Sequence, residues 1–422
     1  RAYAATLTES ARRGHRIAAR QVRIVADQCA SWIDPDGTDF YRALAGEYPE
    51  DGRLAGRLAR AAEQASAAAN GFVTFLRRDL LARASDSDPV GADIYQVTSR
   101  AFLGARVELA ELYDYGWSEL RRLTDLATAL ARELTGEDDL PTARDILDRR
   151  DGASVSVGEE LVSWLQRRLD ETADALHGTH FDIPAATRPV QARMVTAGSG
   201  VMYYSPPDPG LTRPGRVWWS VPPGTATVPT WREVSTVHHE GLPGHHLQHA
   251  ITFGLTGLHP WQRYLCHVHG YAEGWAHYAE SLAVELGLVR DGAELLGVYG
   301  AQLWRAARIV IDLGLHLELP IPAGTGLTDR TSWTPEFGAA FLARVAGTDS
   351  ATARYEVDRY LGWPGQALAF KVGARLWSTA REERHRQLGD RFDRKEFHMA
   401  ALRLGPMGLD PLRAALTRTE AP

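Results

Sequence analysis

The stretch "VHHEGLPGHHLQH", residues 237 to 249, decides how this chain is interpreted, because it gathers five histidines around one carboxylate. The histidines are His238, His239, His245, His246 and His249, and the carboxylate is Glu240. Zinc hydrolases commonly carry two histidines four residues apart on a helix, with a glutamate beside the first to accept a proton. Here the position four residues after His239 is Pro243. The stretch therefore has zinc-site chemistry without the usual spacing.

The Pro243-Gly244 pair offers a way to bring a second histidine close to His239. Proline removes a backbone donor and clashes with the preceding turn, whereas glycine permits unusual dihedral angles. Two residues looped out as a bulge would move His245 to the usual second position. His246 would share a face with His239 on a regular helix, but roughly 10 Å further along the axis. We predict a metal site, in which such a bulge favours His245 while His246 stays open as the second ligand; the alternative is a broken, polar helix end with solvated histidines.

The segment "CHVHGYAEGWAHYAESLAVELGLV", residues 266 to 289, predicts a helix with one polar stripe. The stripe consists of His269, Glu273, His277 and Glu280. No lysine or arginine lies between Arg263 and Arg290, which favours an inward face turned toward a cation. Glu273 is the predicted third ligand and Glu280 the alternative. His277 is predicted either to support a ligand or to be a core histidine.

Two later segments could supply donors to an oxyanion that develops during carbonyl cleavage. "RAARIVIDLGLH", residues 305 to 316, repeats a helical stripe, and "EVDRYLGWPGQALAFKVG", residues 356 to 373, surrounds a Pro-Gly break. The polar residues of these segments are Arg308, Asp312, His316, Arg359, Tyr360, Gln366 and Lys371. We predict Tyr360, His316 and Arg359 as the donors. A salt-bridged helix pair is the alternative for Arg308 and Asp312.

Periodicity along the chain predicts a mainly α fold with one small β-sheet. Residues 1 to 180 form a predicted N-terminal helical lobe of four to six long helices. A catalytic lobe over 181 to 422 then comprises the sheet (181 to 230), the metal helices (231 to 290) and C-terminal helices (291 to 422). "TPE" at 334 to 336 predicts a helix start, and "GWPG" at 362 to 365 a break.

Composition limits the classes of partner. The net charge is −6 over 422 residues with scattered basic residues, which excludes an extended nucleic-acid footprint. The most apolar window, 298 to 317, is interrupted by three charges, so no membrane span is predicted. Cys29 and Cys266 form no disulfide framework. We expect a soluble protein, with the cytoplasm favoured. The start at Arg1 indicates a trimmed N-terminus, which leaves an export signal open, and the oligomeric state is not indicated.

Together these motifs resemble the bacterial "domain of unknown function 885" family, which is grouped with the zincin metallopeptidases of the thermolysin-like clan. The resemblance rests on "HHEGLPGHHLQ" (HExxPGHH in the family), "YAEGWAHYAESL" (EGWAxYxE), "RAARIVIDLGLH" and "RYLGWPGQALAFKVG", in the family's order. "MYYSPPDPGLTRPGRVWWS" is similar to the family segment before the metal helix. Phe370 stands where a tyrosine is expected, and His277 where an apolar residue is usual.

The resemblance implies a large helical zincin-like fold with a deep central cleft and a small sheet beside the metal helix. It implies Zn²⁺ held by His239, His245 and Glu273, with Glu240 as the catalytic base. We therefore expect a zinc metallopeptidase acting on short peptides or a small peptide-like metabolite, with "GRVWWSVP" (215 to 222) and Tyr203-Tyr204 as the edge that aligns the substrate. The alternatives are a carboxylate-bridged di-iron oxygenase in a helical bundle and a non-catalytic peptide-binding relative.

Overall fold

Helices account for most of the chain. The computed structural model describes residues 2–15, 17–34, 37, 39–49, 52–196 and 201–417. Helix makes up 65% and strand 7% of the structure, so the predicted mainly α fold with a small sheet is confirmed. Backbone contacts divide the chain into two compact units, Arg1–Pro89 and Val90–Pro422.

The first unit is entirely helical in its described part. Its helices are α1 (Ala2–Arg12), α2 (Ala19–Ser31), α3 (Phe40–Gly46) and α4 (Ala55–Phe75), followed by a π-helical turn (Leu76–Leu80) and a 3-10 turn (Leu81–Arg83). Its own small core is formed by Val22 and Ala26 of α2 with Leu76 and Leu80 of the π-helical turn. This unit therefore has a hydrophobic core of its own.

The second unit contains the histidine stretch. Its helices are α5 (Gly91–Leu103), α6 (Leu109–Thr135), α7 (Leu140–Asp148), α8 (Glu159–Leu176), α9 (Val234–Glu240), α10 (His245–Gly254), α11 (Pro260–Tyr264), α12 (His269–Glu285), α13 (Gly292–Leu317), α14 (Pro335–Ala346), α15 (Ser350–Gly362), α16 (Ala369–Leu388), α17 (Arg394–Arg403) and α18 (Leu409–Leu416). Its strands are β1 (Ser154–Ser156), β2 (Val190–Thr196), β3 (Met202–Ser205), β4 (Gly215–Val221) and β5 (Thr227–Pro229). Short 3-10 turns cover Thr230–Arg232, Gln366–Leu368 and Gly389–Arg391.

The described part of residues 2 to 178 contains eight helices, six of which have 11 residues or more, in line with the four to six long helices predicted. The lobe boundary predicted between 180 and 181 lies inside the second unit, where helices on both sides share one core. The division into lobes at residues 1 to 180 and 181 to 422 is not tested by this packing and stays a prediction. No helix in the described part of the chain combines the length and apolar character that a bilayer crossing requires.

Strands β1 and β5 form a two-stranded sheet that the prediction of one sheet missed, whereas the three-stranded sheet lies directly before the histidine stretch, as predicted. The order is β2-β4-β3, with β4 parallel to β2 and antiparallel to β3. The prediction that 215 to 222 forms an edge is therefore wrong, because β4 has a hydrogen-bonded partner on each side. Its alternation of partly buried and buried residues fits a central strand. The edge strand that carries Tyr203-Tyr204 is β3.

Close packing between α12 and α16 fixes the position of the predicted third ligand. Gly274 follows Glu273 on α12, and a Cβ added at Gly274 would lie 2.5 Å from the Cα of Gly373 on α16. Only glycine at both positions allows the two backbones to approach this closely. The α12 backbone beside Glu273 is therefore held against a second helix.

The predicted helix boundaries after the metal helices are confirmed. Thr334 caps α14 by accepting a hydrogen bond from the backbone N–H of Phe337, with Pro335 in the first turn. Helix α15 ends at Gly362, and the "GWPG" break separates it from α16. Gly365 has φ +86°, a conformation that glycine adopts without strain. The break directs Gln366 and Lys371 into the buried interior.

Candidate metal centre

Three side chains converge to form a candidate metal centre. His239 of α9, His245 of α10 and Glu273 of α12 each offer one ligand atom, and these atoms lie within 4.8 Å of one another. Glu273 Oε2 lies 3.2 Å from His239 Nε2 and 3.6 Å from His245 Nε2. Two ligands at 2.0–2.1 Å from a tetrahedral ion lie about 3.3 Å apart, so the two separations from Glu273 fit a zinc ion, whereas the two histidine nitrogens would have to move closer together to bind it.

A sharp break between two helices places His245 beside His239. Helix α9 ends at Glu240 and α10 begins at His245, so the deformation is a complete break rather than the predicted bulge. A Cβ at Gly244 would collide with the backbone carbonyl oxygens of His239 and His238. Gly244 is therefore required by this close approach. The Leu242–Pro243 peptide bond in this turn is cis.

A tryptophan from α12 attaches this turn to the helix that carries Glu273. Trp275 is fully buried, and its indole N–H donates to the carbonyl oxygens of Pro243 at 2.9 Å and Gly244 at 3.2 Å. Trp275 lies two residues after Glu273, so one helix supplies both a candidate ligand and the donor that fixes the turn before His245. This coupling explains how residues far apart in sequence form one cluster.

Glu280 orients His239 from behind the cluster. Its Oε1 lies 2.8 Å from His239 Nδ1, and its Oε2 accepts a hydrogen bond from Ser235 at 2.8 Å. A carboxylate on one ring nitrogen selects the tautomer with that nitrogen protonated, which leaves the lone pair of Nε2 free for a metal. The donor set and its support therefore fit a divalent cation such as Zn²⁺.

The electrostatics of the cluster favour a positive charge. Burial lowers the pKa of His239, but the hydrogen bonds that its ring donates to Glu273 and Glu280 outweigh burial and raise this pKa to about 9. Burial would raise the pKa of Glu273, yet its hydrogen bonds to His239 and His245 hold this pKa well below the usual range. The cluster thus stabilises a proton in the place where a cation fits, and a metal ion would displace that proton.

Glu240 lies next to the cluster without belonging to it. It follows His239 directly, and its carboxylate has no hydrogen bond or ion pair with any residue that the structure describes. Burial raises the pKa of Glu240, although the charges of His239 and His245 oppose this shift. A carboxylate held near a cation site without a fixed partner is available to move a proton.

Two further histidines of the stretch, His246 and His238, have hydrogen-bond partners outside the cluster. His246 Nδ1 lies 3.0 Å from the Tyr204 hydroxyl and its Nε2 lies 3.0 Å from the Arg188 carbonyl oxygen, so neither nitrogen is free for a metal. His238 Nδ1 bonds to the carbonyl oxygen of Leu242 at 2.9 Å. Burial lowers the pKa of both His246 and His238 to about 4. The arrangement favours His245 over His246 as the ligand.

The polar stripe on α12 divides into two layers. Glu273 lies in the cluster, whereas Glu280 contacts His239 from the opposite ring nitrogen. His277 Nδ1 lies 3.2 Å from Glu280 Oε1, which places this histidine beside the supporting carboxylate. His277 is therefore both buried and in contact with the support of a candidate ligand.

Comparison with known proteins establishes the family. The family model described as "Bacterial protein of unknown function (DUF885)" matches residues 1–416. The chain belongs to this family. No curated protein matches the DUF885 chain by sequence.

Two solved structures resemble the DUF885 chain in fold. One is described as the crystal structure of the "putative lipoprotein" from Colwellia psychrerythraea; it has a TM-score of 0.82 and 21% identity, with 97% of this chain and 71% of that chain covered. The other is described as a "putative lipoprotein of unknown function" from Shewanella oneidensis; it has a TM-score of 0.71 and 17% identity, with 96% and 75% covered. At these identities the likeness concerns the fold alone.

The three predicted oxyanion donors lie in a network around Glu356 of α15. Tyr360 donates to Glu356 Oε2 at 2.8 Å, and Arg359 pairs with the same carboxylate at 2.8 Å. His316 Nε2 lies 3.1 Å from the backbone carbonyl oxygen of Tyr360. Their role as donors stays a prediction, because each of them already has a protein partner.

The alternative of a salt-bridged helix pair describes Arg308, which joins α13 to α15, but not the main contacts of Asp312. Arg308 pairs with Glu356 at 2.8 Å. Asp312 accepts hydrogen bonds from the Tyr95 hydroxyl at 2.6 Å and from the Gly365 N–H at 2.9 Å. The arginine thus bonds to α15, and the aspartate connects α5 to the break before α16.

Sequence reasoning missed three residues around the candidate centre. Ser235 supports Glu280, Phe370 stacks on His239 with ring centroids 5.8 Å apart, and Arg305 lies over the Phe370 ring at 5.4 Å. Ser235 lies four residues before His239 on α9, and Arg305 lies three residues before Arg308 on α13. Extension of each polar stripe by one helical turn toward the N-terminus would have identified both.

Proposed function

We propose that this chain is a zinc-dependent metallopeptidase that hydrolyses an amide bond in short peptides or a small peptide-like metabolite. The observation that supports it is the convergence of the ligand atoms of His239, His245 and Glu273 within 4.8 Å. The carboxylate of Glu240, which has no bonding partner among the described residues, is close enough to interact electrostatically with all three. The zincin-like character of the fold, including its deep cleft, is part of this proposal.

The candidate ligands and their support have distinct tasks in the proposed site. His239, His245 and Glu273 would hold the ion, and Glu280 keeps His239 in the tautomer that a metal requires. When bound, zinc supplies a Lewis acid that polarises the scissile carbonyl and makes water more acidic. Three protein ligands leave the fourth position open, which is typical of catalytic rather than structural zinc sites.

Glu240 is the proposed proton carrier. It accepts a proton from the attacking water, whose oxygen bonds to the carbonyl carbon, and it delivers that proton to the leaving amine as the C–N bond breaks. This task requires a carboxylate beside the ion but not bound to it, and Glu240 has that position because it follows His239. Its lack of a fixed partner leaves it free to do so.

The alternatives have less support. A di-iron oxygenase needs two metal sites with shared carboxylates, whereas the described residues provide one cluster of three potential ligands. A non-catalytic peptide binder would have no use for a carboxylate such as Glu240 beside a cation site. Both features favour the hydrolase.

Substrate alignment is proposed for the edge strand β3. A peptide can add to a sheet only where a strand has an unpaired side, and β4 has none. Among the described residues, β3 pairs with β4 on one side only, and Tyr203 on it is 44% exposed. We expect an extended substrate to hydrogen-bond to the β3 backbone.

Both the sequence and the solved neighbours bear on the compartment. The sequence favours the cytoplasm but leaves an export signal open, and the two solved neighbours are described as "putative lipoprotein" chains. The cysteines Cys29 and Cys266 are both free, which fits either compartment.

Metal-dependent turnover tests the proposed function. The protein is stripped with a chelator, reloaded with one equivalent of zinc, and incubated with mixed N-acetylated dipeptides and tripeptides. Mass spectrometry should show cleavage products only after reloading. Turnover that persists without metal, or metal analysis that finds two irons per chain, would overturn the proposal.

A further inference from the structure

Arg305 of α13 is a buried cation without a bonding partner. Arg305 is only 8% exposed, and its Nε is a buried donor without an acceptor among the described residues. Among the residues that the structure describes, Arg305 has ring contacts with Trp304 and Phe370 at 5.4 Å each, but no hydrogen bond and no ion pair. A buried guanidinium normally has an anion beside it, because an unpaired buried charge is costly.

Arg308, one helical turn further on, is only partly satisfied. Its Nε donates to the Tyr360 hydroxyl at 3.0 Å and its Nη2 donates to Glu356 at 2.8 Å. Its Nη1 is buried and has no acceptor in the described part of the chain. The Arg308 guanidinium lies 4.3 Å from the Phe370 ring centroid, so both arginines flank the same aromatic ring.

Phe370 connects these arginines with the candidate metal centre. Its ring stacks on the imidazole of His239 at 5.8 Å with an interplanar angle of 20°. The Arg305 guanidinium lies 5.4 Å and the His239 ring lies 5.8 Å from the Phe370 ring centroid. The distance between the guanidinium and the His239 ring therefore cannot exceed the sum of these two distances. An extended peptide spans about 3.3–3.6 Å per residue, so one to three residues fit between a bond cleaved at the metal and a group held by Arg305.

We propose that Arg305, assisted by Nη1 of Arg308, binds the C-terminal carboxylate of the substrate. The chain would then remove one to three residues from the C-terminus of a short peptide. A carboxylate supplies both the charge and the acceptors that the guanidinium lacks, and arginine is the side chain best suited to such a planar anion. This inference rests on the proposed function and names the substrate class of the same site.

A purely electrostatic role for Arg305 makes a different prediction. The carboxylates of Glu280, Glu356 and Glu273 attract its charge from longer range. If Arg305 served only to balance these acids, its loss would weaken metal binding and stability, but it would affect free-acid and amidated peptides equally. The ratio between these two substrate forms therefore separates the roles.

Binding of matched peptide mixtures tests the proposal without requiring turnover. The zinc-loaded Glu240→Gln protein is dialysed against N-acetylated tripeptides with a free C-terminal carboxylate, and separately against the same tripeptides as amides. Mass spectrometry measures the peptide retained. We expect the acids to be retained at least about 10-fold better, since a hydrogen-bonded charge pair contributes on that scale.

Variants assign the preference to Arg305. Arg305→Met in the same background should abolish the acid preference, and Arg305→Lys should restore part of it because it keeps the charge without the fork. Arg144→Met is the matched control, because Arg144 is also buried, at 7% exposure, and also has a buried donor without an acceptor, Nη1, but has no contact with the Phe370 ring among the described residues and bonds to the Val345 carbonyl oxygen. It should leave the acid preference unchanged.

The outcomes separate this inference from the peptidase proposal. An Arg305-dependent acid preference supports the inference even if the wild-type protein cleaves nothing, in which case the peptidase proposal fails alone. Equal retention of acids and amides, no retention of either, or a preference that survives in a folded Arg305→Met protein overturns the inference. Circular dichroism establishes that each variant is folded.

Discussion

His239 lies between two carboxylates, with Nδ1 2.8 Å from Glu280 and Nε2 3.2 Å from Glu273. The two acids occupy the same stripe of α12, seven residues apart, yet they contact opposite nitrogens of one ring. His245 lies on the Nε2 side of the His239 ring, next to Glu273, and not on the Nδ1 side. The geometry therefore gives Glu273 and Glu280 different expected tasks.

Substitution of the two acids should separate these tasks. Glu273→Ala removes a candidate ligand and should abolish stoichiometric zinc binding, as measured by elemental analysis after gel filtration. Glu280→Ala removes only the group that orients His239, so it should keep the metal with affinity reduced about 10- to 100-fold. The reverse pattern would move the third ligand one step along the stripe.

Substitution of the paired histidines should identify the second ligand. His245→Ala should lose zinc, because its Nε2 is the candidate donor. His246→Ala should retain zinc, since both of its ring nitrogens already have partners in Tyr204 and Arg188. The adjacent positions make each variant the control of the other, and competition with a chromophoric chelator gives both affinities. Zinc loss in His246→Ala with retention in His245→Ala would reverse the assignment.

The sequence was sufficient to select the residues of the candidate centre, because the spacing of these residues predicts how the local helices deform and which face they bury. The Pro243-Gly244 pair predicts a deformed helix, and the stripe on α12 predicts an inward polar face. The sequence could place Arg305 on the polar stripe of α13, but it could not predict that Arg305 and Phe370 lie near His239, since those contacts depend on how α13 and α16 pack against α9. Periodicity gives the face of a helix but not the neighbour of that face.

The order of the strands in the sheet could not be predicted from the sequence for a related reason. The apolar run in β4 predicts a strand, but a buried run of this kind does not show which strands pair with it. The parallel partner β2 is separated from β4 by all of β3, and β1 pairs with β5 from 70 residues away or more. Pairing between distant segments is decided by tertiary packing.

The contact between Gly274 and Gly373 should make α12 sensitive to added volume. A methyl group at Gly274 would displace α16, so Gly274→Ala should lower the free energy of unfolding by about 1–3 kcal/mol and weaken zinc binding through Glu273. Gly300→Ala on α13 is the control, because its nearest neighbour would lie 3.9 Å away. The control should be neutral or slightly stabilising in urea unfolding. Equal effects of both substitutions would argue against the close approach.

Stability should fall in mild acid because of a buried neutral histidine outside the metal centre. Burial, with Arg381, Arg394 and His180 nearby, lowers the pKa of His398 to about 3. An unfolded histidine has a pKa of about 6.5, so the unfolded state binds more protons between these values. The contribution of His398 is complete above about pH 6.5 and is lost as the pH falls toward 3. At pH 5 the expected loss is about 2 kcal/mol.

Replacement of His398 should reduce this pH dependence. His398→Phe removes the titrating group together with the 2.7 Å hydrogen bond between His398 Nε2 and the Tyr278 hydroxyl, which keeps the hydrogen bond that it accepts from Arg381 at 2.9 Å. The difference in unfolding free energy between pH 7 and pH 5, measured in urea at fixed zinc content, should shrink by about 2 kcal/mol. The exposed His385→Phe serves as the control and should leave the difference unchanged. An undiminished difference in His398→Phe would assign the acid sensitivity to other groups.

The final prediction concerns Glu240 and separates proton transfer from metal binding. Consecutive residues on a helix point about 100° apart, so the neighbour of a ligand lies beside the ion rather than on it. The amide in Glu240→Gln has the same shape and can hold a water molecule, but it cannot accept a proton from it. The variant should therefore fold normally, retain one zinc and bind peptides with unchanged affinity.

Turnover by Glu240→Gln should nevertheless fall at least about 100-fold, because general acid–base assistance typically contributes 10²- to 10⁴-fold. The loss should appear in kcat rather than KM, since proton transfer occurs only in the transition state. Glu233→Gln provides a matched control, as Glu233 is one helical turn before Val237, is partly buried and lies outside the metal cluster. Steady-state kinetics on zinc-loaded proteins, with metal content measured for each, decides the outcome. Near wild-type turnover by zinc-loaded Glu240→Gln would remove Glu240 as the base, and with it the hydrolytic mechanism assigned to this cluster.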